Sequence, residues 1–112
     1  MKEYNVFVTW EAIYDITDIA EYIEIEFGQL RADRFQDDIQ KQFSDIAYLH
    51  HSYPKTEMLY RGYFIHKKSF SPSIIFYIIK EDKKEVHILR VLREERDWGN
   101  ILSKDTDYSY PS

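Results

Sequence analysis

The sequence predicts an α+β fold: an N-terminal strand, a two-helix hairpin and then a small antiparallel sheet. Three observations carry this reading. Apolar residues recur at steps of three and four from residue 12 to residue 49, the mark of two amphipathic helices. Ile74-Ile75-Phe76-Tyr77-Ile78-Ile79 and Val86-His87-Ile88-Leu89-Arg90-Val91-Leu92-Arg93 are apolar, β-branched-rich runs, which read as strands. Between them lies a charged break, Lys80-Glu81-Asp82-Lys83-Lys84-Glu85, which turns the pair into a β-hairpin.

Each element has its own local reason. Tyr4 to Thr9 is short, β-prone and bounded by polar residues, so it reads as the first strand. Thr9 can cap the first helix and Glu11 suits the positive end of its dipole. Ala12, Ile16, Ile19, Ile23 and Phe27 form the core-facing stripe, and Gly28 ends the helix because glycine enters the left-handed cap conformation without steric cost. Ala32, Phe35, Ile39, Phe43, Ile46 and Leu49 continue the period in a second helix, which stops before Pro54. Leu59 to Phe70 gives one or two strands interrupted near Gly62, and Ser71-Pro72-Ser73 turns the chain. In the central strand Ile74, Phe76 and Ile78 share one face, while Ile75, Tyr77 and Ile79 share the other. Both faces are apolar, so that strand is covered on both sides. Ile101 and Leu102 dock a short C-terminal turn, residues 1–102 make a single domain, and the polar tail 103–112 is expected to fray.

Composition narrows the function. At 112 residues, 44% hydrophobic and 17% aromatic, the chain supports one folded core. It has no cysteine, which excludes a disulfide framework and a thiolate nucleophile. No apolar run approaches the roughly 20 residues that span a bilayer, so a soluble, cytoplasmic protein without membrane contact is expected. The net charge of −5 is unevenly spread: residues 1–57 hold five Lys/Arg against twelve Asp/Glu, while residues 58–102 hold nine against six. A basic surface for an anionic partner would therefore lie on the hairpin half. The alternative is a set of acidic side chains that merely solvate two helices.

Several chemistries are absent from the sequence. Gly28, Gly62 and Gly99 are isolated, and His50, His51, His66 and His87 form no HExxH pattern, so neither a phosphate-cradling loop nor a metal or cofactor site is expected. What remains is a cationic and phenolic set on the β half: Arg61, Lys67, Lys68, Tyr77, Arg90, Arg93 and Arg96. Cleavage of RNA by its own 2′-hydroxyl needs a base, a cation for the phosphorane and an acid for the leaving oxygen. Arginine fits the second role. Each residue also has a structural reading, as a strand-edge charge or a packed aromatic.

The order of elements over residues 4–102, with Ala12-Ile13-Tyr14-Asp15-Ile16, Ile19, Tyr22, Pro54, Tyr60-Arg61, Ile75-Phe76-Tyr77, Ile88-Leu89-Arg90-Val91-Leu92 and Arg96-Asp97, resembles the RelE/ParE family of toxins from bacterial type II toxin–antitoxin modules, including plasmid stabilisation proteins. The resemblance implies a microbial-RNase-type fold and a cognate antitoxin partner. It implies one of two targets: mRNA on the ribosome, cut by a metal-independent endoribonuclease, or DNA gyrase, inhibited by binding alone. Under the first, Arg61, Lys67, Tyr77, Arg93 and Arg96 are the candidate catalytic residues. Many relatives carry a histidine where this chain has Arg93, and arginine cannot replace its proton chemistry. A toxin-fold protein that only binds its antitoxin, and a homodimer, are further expectations left open.

Overall fold

The computed structural model describes residues 2–104 and 107–112. The chain runs β1 (Asn5–Val8), α1 (Trp10–Phe27), α2 (Gln29–Leu49), a 3-10 turn (His50–Ser52), β2 (Lys55–Tyr60), β3 (Tyr63–Phe70), β4 (Ser73–Lys80), β5 (Glu85–Arg93) and α3 (Trp98–Ser103). Among the described residues no helix is long and apolar enough to cross a membrane.

The expected strand, helical hairpin and antiparallel sheet are all present. β2 to β5 form antiparallel neighbours, and β1 adds to β5 in parallel, giving the order β1-β5-β4-β3-β2. The sheet is therefore mixed at one edge. A parallel pair needs a long crossover, and the whole chain between β1 and β5 supplies it. β2 also starts earlier than Leu59, at Lys55. The Thr56 hydroxyl donates to the Ile65 carbonyl at 2.7 Å and ties this extension to β3. The β2–β3 turn places Arg61 and Gly62 at positive φ (51° and 87°), the pairing a two-residue hairpin loop of matching twist requires.

The Thr9 side chain accepts from the Ala12 amide at 3.0 Å, a cap worth about 1 kcal/mol. Gly28 has φ 97° and serves as both the end of α1 and the start of α2. The helices therefore meet at a single residue and must pack antiparallel. At the other end of α2, His50 is buried and its Nδ1 lies 3.1 Å from the Ile46 and Ala47 carbonyls. It satisfies acceptors the helix end would otherwise leave open.

Two cores flank the central strands. Ile75, Tyr77 and Ile79 face α1 and α2 with Ile19, Ile39, Phe43 and Ile46. Phe76, Ile78, Leu89 and Leu92 face the opposite way, under Leu102 and Tyr108. The alternation read from the sequence holds along β4. Where it is described, the tail lies against the domain. Tyr108 is 9% exposed, its amide donates to the Tyr60 hydroxyl at 3.3 Å, and the Trp10 amide donates to the Ser109 carbonyl at 2.8 Å. Tyr108, in an otherwise polar segment, supplies burial that composition averages away. Residues 105 and 106 of that tail lie outside the described residues.

Candidate functional site

The site region begins with an irregularity in β5. Phe76 pairs with Arg90 and Tyr77 with Ile88, so Leu89 is an extra residue, a bulge that shifts the alternation by one position. Val86 and Ile88 face the helices before it, and Val91 faces them after it. Arg93 consequently emerges on the helix side instead of the opposite face. The Thr9 hydroxyl donates to the Leu89 carbonyl at 2.8 Å, holding the bulge against the start of α1.

Arg90 is spent inside the molecule. Its Nε and one terminal nitrogen donate to the two Asp15 carboxylate oxygens at 2.7 and 2.9 Å, and the Val91 amide donates to Asp15 at 3.0 Å. Asp15 is 8% exposed. The hydrogen bond to Asp15 holds the Arg90 guanidinium above its ordinary pKa. Burial likewise raises the phenol of Tyr108 beside this pair, while Arg90 opposes that shift. The sequence carried a signal for this lock: Asp15 is an acid on the buried stripe between Ala12 and Ile19.

Arg93 and Arg96 do come together. They line a cleft of about 130 Å³ with Asp15, Asp18, Ile19, Tyr22, Val91 and Leu92. The Arg93 guanidinium lies 3.8 Å above the Tyr22 ring centroid, a stacked cation–π contact, and also pairs with Glu95 at 2.5 Å. Among the described residues its buried Nε has no hydrogen-bond partner. Arg96 is exposed, with its amide donating to the Arg93 carbonyl at 3.0 Å.

The other candidates lie elsewhere. Lys67 is on the opposite sheet face, its Nζ 5.3 Å from the Trp98 ring centroid, in an open groove of about 420 Å³ shared with Lys55 and Met58. Arg61 sits at the β2–β3 turn, paired with Asp107 of the tail; the hydrogen bond to Asp107 raises its pKa. Tyr77 is 0% exposed. Its hydroxyl donates to the His50 carbonyl at 2.7 Å, and its ring stacks on His66 at 5.1 Å. Burial pushes this phenol well above its ordinary pKa. Tyr77 is therefore a core residue that closes the 3-10 turn onto the sheet, with no path to a substrate. The sequence assigned it to a face correctly, but that face lies under α2. Tyr22 and Trp98, which stack on Arg93 and Lys67, were not singled out as site residues.

Comparison with known proteins agrees with this architecture. Residues 6–98 match the family described as the ParE toxin of type II toxin–antitoxin system, parDE. Among solved structures, the chromosomal ParDE toxin–antitoxin system from P. aeruginosa superposes with a TM-score of 0.68 at 20% identity, covering 83% of this chain and 98% of that one. The toxin–antitoxin complex RelBE2 from Mycobacterium tuberculosis superposes at 0.61 and 18% identity, covering 86% and 97%. At these identities the likeness is one of fold. No curated protein matches the sequence.

Proposed function

Because the chain belongs to the ParE toxin family of type II toxin–antitoxin systems, we propose that it inhibits its target by binding, with DNA gyrase as that target, and that it cuts no RNA. One observation carries this reading: the five candidate catalytic residues do not converge. Tyr77 is sealed in the core, Arg61 is held by Asp107 at a distant turn, and Lys67 lies across the sheet from Arg93. RNA cleavage needs an acid, a base and a charge stabiliser within hydrogen-bond reach of one phosphate. Only Arg93 and Arg96 share a cleft, and neither can act as acid or base near neutral pH.

A restraining antitoxin follows from the same family, and a soluble toxin with such a target works in the cytoplasm. The shared cleft of Arg93 and Arg96 is the observation that favours the endoribonuclease reading, in which the two guanidinium groups clamp a phosphate against Tyr22. Induced expression with separate readouts decides between them. The binding reading expects loss of gyrase supercoiling, intact mRNA on translating ribosomes, and toxicity retained in Lys67→Ala. Transcript cleavage abolished by Arg93→Ala or Arg96→Ala at unchanged melting temperature would overturn it.

A further inference from the structure

Residues 107–110 touch widely separated parts of the domain. Asp107 pairs with Arg61 at the β2–β3 turn. The Tyr108 amide donates to the Tyr60 hydroxyl of β2 at 3.3 Å. The Ser109 amide and hydroxyl donate to the Glu11 carboxylate at 3.1 and 3.2 Å, and the Ser109 carbonyl accepts from the Trp10 amide at 2.8 Å. The Tyr110 hydroxyl lies 2.7 Å from Nδ1 of His87 in β5, whose Nε2 lies 2.9 Å from the Glu85 carboxylate. The segment thus crosses the sheet from β2 to β5 and the start of α1, on the face away from the helical hairpin. The family match ends at residue 98, so this strap is an addition to the shared domain.

Its hold is mostly superficial. Tyr108 is buried, but Asp107, Ser109 and Tyr110 are exposed. The side chains of Arg61 and Asp107 are 62% and 86% exposed, and ion pairs so placed contribute little. One ring and a set of solvent-accessible polar bonds hold less firmly than the strands beneath, so the strap can open while the domain stays folded.

The surface under it has a definite chemistry. Tyr108 rests on the apolar layer that includes Phe76, Ile78 and Leu89, with Tyr60, Tyr63 and Trp98 packed at its margin. A cation lies over each of those three rings: Arg61 over Tyr60 at 5.4 Å, Lys80 over Tyr63 at 5.7 Å and Lys67 over Trp98 at 5.3 Å. The strap matches that pattern. Asp107 meets Arg61, and the Tyr108 ring stands edge-on to Tyr60 with centroids 4.9 Å apart. It occupies the face as a ligand would, with an acid beside an aromatic.

We propose that residues 107–110 are a releasable autoinhibitory strap, covering in the free chain the sheet face with which the protein grips its target. The inference rests on the binding reading above. The target supplies a segment of like chemistry, an acidic side chain next to an aromatic one, which displaces Asp107 and Tyr108 and meets Arg61 and Tyr60. When only a fraction of the population is binding-competent, apparent affinity falls by that fraction. A strap closed about nine-tenths of the time therefore weakens target binding about tenfold, and loosening it restores that factor.

The test compares the full chain as wild type, as Asp107→Lys/Tyr110→Phe, and as Asp37→Lys, a control at an exposed position of α2. The double change repels Arg61 and removes the bond to His87 but leaves the buried ring, so its melting temperature should stay within a few degrees of wild type. In native-state hydrogen exchange the Trp10, Tyr108 and Ser109 amides should exchange about 100-fold or more faster than the Val91 amide, which Asp15 holds, and faster still in the double variant. In gyrase supercoiling assays the double variant should reach half-inhibition at about five- to tenfold lower concentration than wild type or control. Tyr110→Phe alone should shift both readouts in the same direction by less, and it carries the comparison if the double variant unfolds. Potency within about twofold of wild type despite faster exchange would overturn autoinhibition while leaving the binding reading intact. Lower potency would make the strap part of the grip and overturn it equally. Strap amides that exchange only through global unfolding would overturn release. No inhibition by wild type or by the double variant would remove the binding reading and this inference with it.

Discussion

Asp15→Ala should be the most damaging single change of a charged residue in this protein. Asp15 accepts three hydrogen bonds, two from Arg90 and one from the Val91 amide. The side chains of Asp15 and Arg90 are only 9% and 19% exposed. Removing the carboxylate leaves a largely buried guanidinium without its counter-charge and a strand amide without its acceptor. Breaking a buried pair from one side costs about 3–5 kcal/mol. At 112 residues the unfolding entropy is about 0.24 kcal/mol per degree, so the melting temperature should fall by about 12–20 °C. Calorimetry and urea titration measure both quantities. A double-mutant cycle with Arg90→Met supplies the control, because that change removes the stranded charge. Asp15→Ala/Arg90→Met should be less destabilised than the sum of the single changes by about 1 kcal/mol or more. A loss below about 1 kcal/mol in Asp15→Ala, or strict additivity in the cycle, would refute the claim that this pair locks α1 to β5.

Three further outcomes are expected. Phe43, 5% exposed between α2 and the sheet, should cost about 3–5 kcal/mol when changed to alanine, read from the urea midpoint at constant m-value. Tyr77→Phe loses only the bond to the His50 carbonyl and should cost about 1 kcal/mol; because the residue is sealed, toxicity on induced expression should match wild type, and a non-toxic yet folded variant would contradict its structural role. His66 and His87 are held below the ordinary imidazole value of 6.5, chiefly by burial. The unfolded chain therefore takes up these protons first, and stability that is full above pH 6.5 is lost as pH falls below it. Urea midpoints should decline from about pH 7.5 to about pH 5, and less steeply in His66→Gln/His87→Gln; equal slopes in the two proteins would exclude these imidazoles as the cause.

The sequence by itself determined the elements, their order and the two faces of β4, because helix and strand periods record locally which side of each element is apolar. Thr9 as a cap, Gly28 as a turn and the Ile75-Tyr77-Ile79 face needed no knowledge of what lay opposite. The fate of each charge was not legible in that way: a cation reads the same in one dimension whether it meets solvent, a ligand or a carboxylate far along the chain. Only the tertiary structure brought Asp15 to Arg90 and Asp107 to Arg61; the first pairing removes Arg90 from the open basic surface the sequence suggested, while Arg61 stays exposed beside its partner. Parallel pairing of β1 with β5 depends on where a long crossover returns the chain. The tail docks through Tyr108 against a sheet face assembled from distant strands. The bulge at Leu89 was hidden in the same way, since one unpaired residue reverses the side on which Arg93 emerges. Such a shift arises from backbone pairing with β4 and from the Thr9 bond to the Leu89 carbonyl, contacts that exist only once the sheet and α1 have come together.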